Sequence, residues 1–295
     1  MFFRPTVVLL SKTQKPASKA WVARQSRDPY VKQRQSYRAR SAFKLLEIDA
    51  LGNYFLGKPD VKAVIDLGAA PGGWSQVVAA KLGWTADPED PPLLSSSQKH
   101  NNQGPRKERH DDWKKDQAMR KGVEMRSFDP LNIEGEDFEV YGRRDGRGTI
   151  ISVDLLKIQP IQGVHTIQAD FLSPQATNLI HPLLAVKGNP AGKVDIILSD
   201  MAANSSGNDV RDIESSLEIC NAVFGFAQDN LRSAEQIGRK KGGVVLMKHF
   251  THPLLHEFRV NKLEPNFYHV TYVKPYSSRS ESREGYFLCQ GWKGI

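Results

Sequence analysis

The sequence predicts an α/β fold of the Rossmann-like kind, a mostly parallel seven-stranded sheet with helices on both faces. Three observations predict it. Short apolar runs alternate with stretches of helical periodicity along most of the chain. The first apolar run, Val61 to Leu67, enters a glycine-rich turn at Gly68 to Gly73. Three later runs end on an acid, at Asp154, Asp170 and Asp200. In open sheets of this kind, ligands gather beyond the carboxyl ends of the strands.

The elements follow in order. Residues 29–50 read as a helix after Pro29, with Tyr37, Ser41, Leu45 and Ile48 near one face. Val61 to Leu67 suits a buried strand. Trp74 to Leu82 reads as a helix. Residues 85–148, with Pro88, Pro91, Pro92, a serine triplet and mixed charge, lack apolar periodicity and read as a disordered insertion with a short helix near 111–121. Strands follow at Thr149–Leu155, Val164–Ala169 and Val194–Ser199, then a helical pattern over 210–237. Gly243–His249 is a strand, 254–263 a helix, and Tyr268–Lys274 with Gly285–Gln290 a closing strand pair. Residues 29–295 are expected to form one domain around the insertion.

The composition supports a packed core, with 39% hydrophobic residues, and no apolar run is long enough for a membrane span. Cys220 and Cys289 stand far apart without a CxxC pair, which suits reduced buried thiols. The net charge of +8 is unevenly placed. Residues 1–44 hold eleven Lys or Arg against Asp28 alone, while the rest of the chain is slightly acidic. Residues 1–27 contain six bases, no acid and several hydroxyls, the composition of a mitochondrial transit peptide. Residues 1–28 are therefore expected to be a leader to the mitochondrial matrix. A plain basic RNA-binding tail is the alternative.

The turn Gly68-Ala69-Ala70-Pro71-Gly72-Gly73-Trp74 lets a ligand approach the backbone closely. It has neither GxGxxG spacing nor the Lys-Ser/Thr pair of a P-loop, so an adenosyl amino acid is favoured over a phosphate. Asp154 offers two acceptor oxygens to a ribose diol, and Asp170 can accept from an adenine amino group. Asp154 follows Gly72 by 82 residues, or by 18 once the insertion is set aside. That is close to the spacing of a ribose-binding acid in dinucleotide folds.

The run DLGAAPGGWSQ at 66–76 resembles the FtsJ ribose 2′-O-methyltransferases. Ser41-Ala42-Phe43-Lys44-Leu45, Val153-Asp154-Leu155-Leu156, Gln168-Ala169-Asp170-Phe171, Leu198-Ser199-Asp200-Met201-Ala202, Met247-Lys248-His249-Phe250 and the stretch Ser277 to Glu284 agree in order. The resemblance covers about 29–84 and 149–291. It implies the Rossmann-like S-adenosyl-L-methionine-dependent methyltransferase fold, with a catalytic set of Lys44, Asp200, Lys248 and Glu284. It also implies cofactor positions at Gly72, Trp74, Asp154, Asp170 and Asp200, to which the turn adds Gly68, Pro71 and Gly73. Where the family often has Pro-Asn after Asp-Met-Ala, this chain has Ala203-Asn204, which loosens the backbone there.

The chemistry is self-consistent. A sulfonium methyl is already activated, so the task is to align a hydroxyl and remove its proton. Lysine is the strongest common base, but only about one ordinary lysine in a thousand is neutral at pH 7.4. Nearby positive charge and desolvation favour the neutral form. Lys248 is the expected base, Asp200 its positioner, with Lys44 and Glu284 holding ribose and base.

On the RNA side, Arg34, Tyr37, Arg38 and Arg40 mix cations with an aromatic, and Arg279 and Arg283 add charge beside Glu284. A solvated basic face is the alternative. His249, His252 and His256 are too loosely spaced for a metal centre, and no metal is expected. The expected function is 2′-O-methylation of a uridine ribose in mitochondrial large-subunit ribosomal RNA, by a monomer whose partner is the large ribosomal subunit. The short C-terminus, beside the long extensions of nucleolar relatives, suits a mitochondrial member. A tRNA methyltransferase of the same family and a non-catalytic ribosome-assembly factor are the alternatives.

Overall fold

The computed structural model describes residues 37–86, 145–186, 189–202, 209–279 and 281–294. In order, the elements are α1 (Ser41–Leu51), β1 (Ala63–Leu67), α2 (Gly73–Lys81), β2 (Thr149–Asp154), β3 (Val164–Gln168), α3 (Pro174–Leu184), β4 (Ile196–Ser199), α4 (Asp209–Asn230), α5 (Ala234–Ile237), β5 (Val244–Phe250), α6 (Pro253–Phe258), α7 (Glu264–Asn266), β6 (Phe267–Val273) and β7 (Glu284–Trp292). A π-helical turn, Arg259–Leu263, joins α6 to α7.

The seven strands form one sheet in the order β3-β2-β1-β4-β5-β7-β6. The first five pair in parallel, and β7 runs antiparallel to both β5 and β6. The expected mostly parallel sheet is therefore present. The central strands are mostly apolar because alternate residues feed two cores. Ile65, Leu67, Ile151, Ile197 and Val245 pack with Ala176, Ile180, Val223, Phe224 and Ala227 of α3 and α4. Val64, Ile150, Ile196, Leu198 and Leu246 pack with Leu45 and Ile48 of α1 and Val77 and Val78 of α2 on the other face.

Several boundaries differ from expectation. The helical pattern over 210–237 is two helices, broken where Leu231 bridges to Val194. Ser233 then caps α5 in a capping box with Gln236, which gives the second helix its own start. Helix α3 was not expected. Pro174 lies in its first turn, and the buried residues Ala176, Ile180 and Leu184, spaced by four, hold it on the sheet. The leader, most of the insertion with its short helix, and Ala203-Asn204 lie outside the described residues.

Two anchors sit away from the strand ends that carry the acids. Asp195 Oδ2 accepts from the N–H groups of Lys62 and Ala63, at 2.7 and 2.9 Å, and its Oδ1 takes the Arg232 guanidinium. Arg147 donates to the carbonyls of Gly57, Lys58 and Val61. Its own N–H reaches Leu82 O at 2.9 Å, and its carbonyl accepts from Trp84 Nε1 at 3.2 Å.

Candidate active site

The turn after β1 is shaped by its glycines. Gly68 has φ 70° and Gly72 φ 107°, a region that side chains rarely occupy. A Cβ on Gly68 would stand 2.1 Å from Met201 Cγ, and one on Gly72 would meet Ile161 Cδ1 at 2.9 Å. The N–H groups of Gly68 and Ala69 bind Val153 O at 2.8 and 3.2 Å, fastening the turn to β2. Asp154, at the tip of β2, accepts from Ala70 N–H at 2.8 Å through Oδ2 and from Leu156 N–H at 2.7 Å through Oδ1. Asp170 Oδ1 accepts from Leu172 N–H at 2.9 Å.

A cavity of about 300 Å³ opens beside this turn, lined by Gly68, Asp154, Leu155, Asp170, Phe171, Asp200 and Met201 among others. Four of the eight expected cofactor residues, Gly68, Asp154, Asp170 and Asp200, are on its wall. The lining does not include Pro71, Gly72, Gly73 or Trp74. Trp74 is spent on packing instead. Its indole N–H donates to Ser41 O at 2.7 Å, and its ring lies 5.9 Å from that of Tyr286. Gly73 lets α2 approach the segment that leads into α1, since a Cβ there would touch Ala39 Cβ at 3.0 Å.

Next to the cavity runs a row of charged side chains set by strand register. Ser199 pairs with Met247, so Asp200 and Lys248 fall side by side as β4 ends. Lys248 pairs with Tyr286 and Phe250 with Glu284 across β5 and β7. Lys44 comes from α1 and is 9% exposed. Lys44 Nζ lies 2.7 Å from Glu284 Oε1, and Lys248 Nζ is 3.6 Å from Glu284 Oε2 and 3.2 Å from Asp200 Oδ1. The four expected catalytic residues are thus brought together in one chain of contacts. Burial pushes the Glu284 carboxyl up, but Lys44 and Lys248 outweigh it and hold it below the usual range.

Sequence reasoning missed a fifth member, Tyr286. Its hydroxyl donates to Asp200 Oδ1 at 2.7 Å, and Lys44 Nζ stands 5.9 Å from its ring centroid. Burial, then the Asp200 and Glu284 charges, raise its phenol well above the ordinary value, so it remains a donor. Two-residue alternation from Glu284 along β7 was the available signal. Asp66 was also missed. It is 1% exposed, accepts from Ser75 Oγ at 2.6 Å, and is pushed up to about 7 by burial, with the Asp200 and Asp154 charges adding to the effect.

The expected RNA-binding set divides. Arg34 lies outside the described residues. Tyr37 is corrected: it is 4% exposed, its ring packed edge-on against Phe43 with centroids 5.5 Å apart, so its face is closed to a stacking base. Arg38 is taken up within the fold's surface, donating to the carbonyls of Gln159 and Pro160 at 2.6 and 2.7 Å, with its Nη1 beside Gly72. Arg40 binds Ser277 O at 3.0 and 2.7 Å. Arg279 and Arg283 are exposed. His249 stacks on Phe287 with centroids 3.7 Å apart, and His252 caps α6 by accepting from Leu254 N–H. No helix among the described residues is long and apolar enough to cross a membrane.

Comparison with known proteins agrees with this arrangement. The FtsJ-like methyltransferase family model matches residues 37–102 and 132–292. The ribosomal RNA large subunit methyltransferase E of Rhodopseudomonas palustris strain BisB18 is 34% identical over 283 residues, which cover 95% of this chain and 87% of that protein. Its counterpart in Sinorhizobium fredii is 33% identical, covering 95% and 84%. The crystal structure of a protein described as a ribosomal RNA methyltransferase from Plasmodium falciparum covers 88% of this chain and all of that one, at 22% identity and a TM-score of 0.55, and so shares the fold. By sequence match, sheet order and the glycine turn, this chain belongs to the FtsJ-like methyltransferase family.

Proposed function

We propose that this enzyme transfers a methyl group from S-adenosyl-L-methionine to the 2′-hydroxyl of a uridine ribose in large-subunit ribosomal RNA, and that it does so in the mitochondrion. The observation that carries the chemistry is the row Lys44–Glu284–Lys248–Asp200 beside the cavity of the glycine turn. The names of the curated relatives support the RNA. The acid-free, basic, hydroxyl-bearing residues 1–27 support the compartment.

The residues suit the donor. Gly68 packs its backbone directly against Met201 on the cavity wall, and Asp154 and Asp170 place acceptors at successive strand ends among the apolar walls of Leu155, Phe171 and Met201. When bound, the sulfonium donor supplies an activated methyl group. Lys248 Nζ takes the proton that the ribose hydroxyl loses as its oxygen gains the methyl. Asp200 and Glu284 stabilise the ammonium so formed, at 3.2 and 3.6 Å. Lys44, anchored on Glu284, orients the sugar beside it. Tyr286 holds Asp200 in place.

The test is incubation with labelled donor and either ribosomal subunits or tRNA, followed by mapping of ribose methylation. Label on a uridine ribose of the large subunit is expected. Label in tRNA alone would overturn the substrate, and full turnover by Lys248→Ala would overturn the base.

A further inference from the structure

A second cavity, of about 260 Å³, opens between α1 and the loop joining β6 to β7. Arg40, Ser277 and Arg279 are among its walls, and it shares Lys44 and Glu284 with the charged row. Three features mark it as a place for an anion. Arg40 and Arg279 both line the cavity, and the Arg40 guanidinium is held below its ordinary pKa by burial and then by the charge of Arg279, with Glu284 and Glu47 acting the other way. Arg279 has no hydrogen-bond or ion-pair partner for its side chain among the described residues. Ser277 is among the lining residues, and its fully buried Oγ lacks a partner among the described residues. A buried hydroxyl without a partner is costly, and a tetrahedral oxyanion would satisfy it together with both guanidiniums.

Hydrogen bonds pin the turn at Ser277 and Ser278, where it meets the cavity. Ser277 N–H donates to both oxygens of Glu47, at 3.1 and 3.2 Å, while Arg40 holds the Ser277 carbonyl. Ser278 N–H closes a turn onto Pro275 O at 3.0 Å. Tyr276 is thereby fixed at the turn, yet its side chain is 92% exposed. An aromatic ring on a stiff loop loses little entropy on binding, and every base has a face for it.

We propose that this cavity receives a backbone phosphate of the single strand whose ribose lies at Lys248, and that Tyr276 stacks on the base adjoining that phosphate. The inference rests on the RNA-substrate reading above and extends it to a neighbouring nucleotide. Arg40, Arg279 and Ser277 Oγ hold the phosphate oxygens, and the ring fixes the direction in which the strand leaves the site.

Fluorescence anisotropy with a labelled short oligouridylate tests this, with donor affinity measured alongside as a check on folding. Tyr276→Ala is expected to weaken binding about tenfold, and Tyr276→Phe to retain it, because stacking needs the ring and not the hydroxyl. Arg279→Ala is expected to lower the slope of log affinity against log salt by about 0.7, the loss of one phosphate contact on a single strand. Wild-type affinity in Tyr276→Ala, or an unchanged slope in Arg279→Ala, would overturn the site. So would a wild type that methylates ribosomal RNA yet ignores the oligouridylate. A wild type that neither binds the strand nor methylates ribosomal RNA would overturn the RNA reading itself.

Discussion

Tyr286 and Lys248 meet on a single oxygen of Asp200: the phenol donates to Oδ1 at 2.7 Å and the amine approaches the same atom at 3.2 Å. The phenol therefore competes with the amine for that carboxylate and fixes its direction. Tyr286→Phe removes the competitor and keeps the ring that packs on Trp74. We expect kcat to fall about tenfold, with the KM for RNA and the donor affinity unchanged, as the loss of one hydrogen bond to a partly buried carboxylate implies. Steady-state kinetics on ribosomal subunits checks this.

Replacing the proposed base itself should be far more costly. Lys248→Ala is expected to lower kcat roughly a hundred- to ten-thousand-fold, the usual contribution of a positioned base. Donor binding by calorimetry should be preserved, because Lys248 is not on the wall of the glycine-turn cavity.

The turn is vulnerable to one methyl group. Gly68→Ala combines a φ of 70° with a Cβ placed 2.1 Å from Met201 Cγ. A stability loss of about 1–3 kcal/mol is expected from the strained backbone. Met201 must also move into the cavity, so donor affinity should fall by an order of magnitude or more, read by calorimetry.

Asp66 predicts a pH dependence of stability. Its folded pKa, near 7, lies above the ordinary value of 3.8, so the folded state binds a proton that the unfolded state has released. The stabilisation is complete below about pH 4 and is lost as pH rises through 7. It amounts to at most about 4 kcal/mol. Denaturant titrations of Asp66→Asn should show a flatter profile than wild type across pH 4–7 and an advantage over it at pH 8. Parallel profiles would refute the assignment.

Arg38 marks where sequence reading stops. Its place in a basic run suggested phosphate contact, but its guanidinium donates to carbonyls 121 and 122 residues away. That pairing depends on where the β2–β3 loop passes, which no local pattern encodes. Arg38→Ala is accordingly expected to weaken donor binding roughly three- to tenfold, by freeing the loop over Gly72, and to leave the salt slope of RNA binding unchanged. The central strands were legible because doubly buried parallel strands are mostly apolar. Asp154 and Asp200 were legible because each ends such a run, and Asp170 because it follows the edge strand β3. Helix α3 had a readable signal in Ala176, Ile180 and Leu184, and so did the α5 start in Ser233 and Gln236. Tyr286 looked like one more core aromatic: alternation from Glu284 gives its side of β7, but Asp200, just beyond β4, is what reveals the hydroxyl's use.

The Arg147 anchor has a consequence for the long segment between Ala86 and Asp145. Both stems are stapled to the scaffold by Trp84, Leu82 and the carbonyls at 57–61, so the closure of that excursion is borne locally rather than by the strand ends where chemistry occurs. Loosening either stem, by Trp84→Ala or Arg147→Ala, is thus a change made at a distance from the catalytic row, whose contacts involve neither residue.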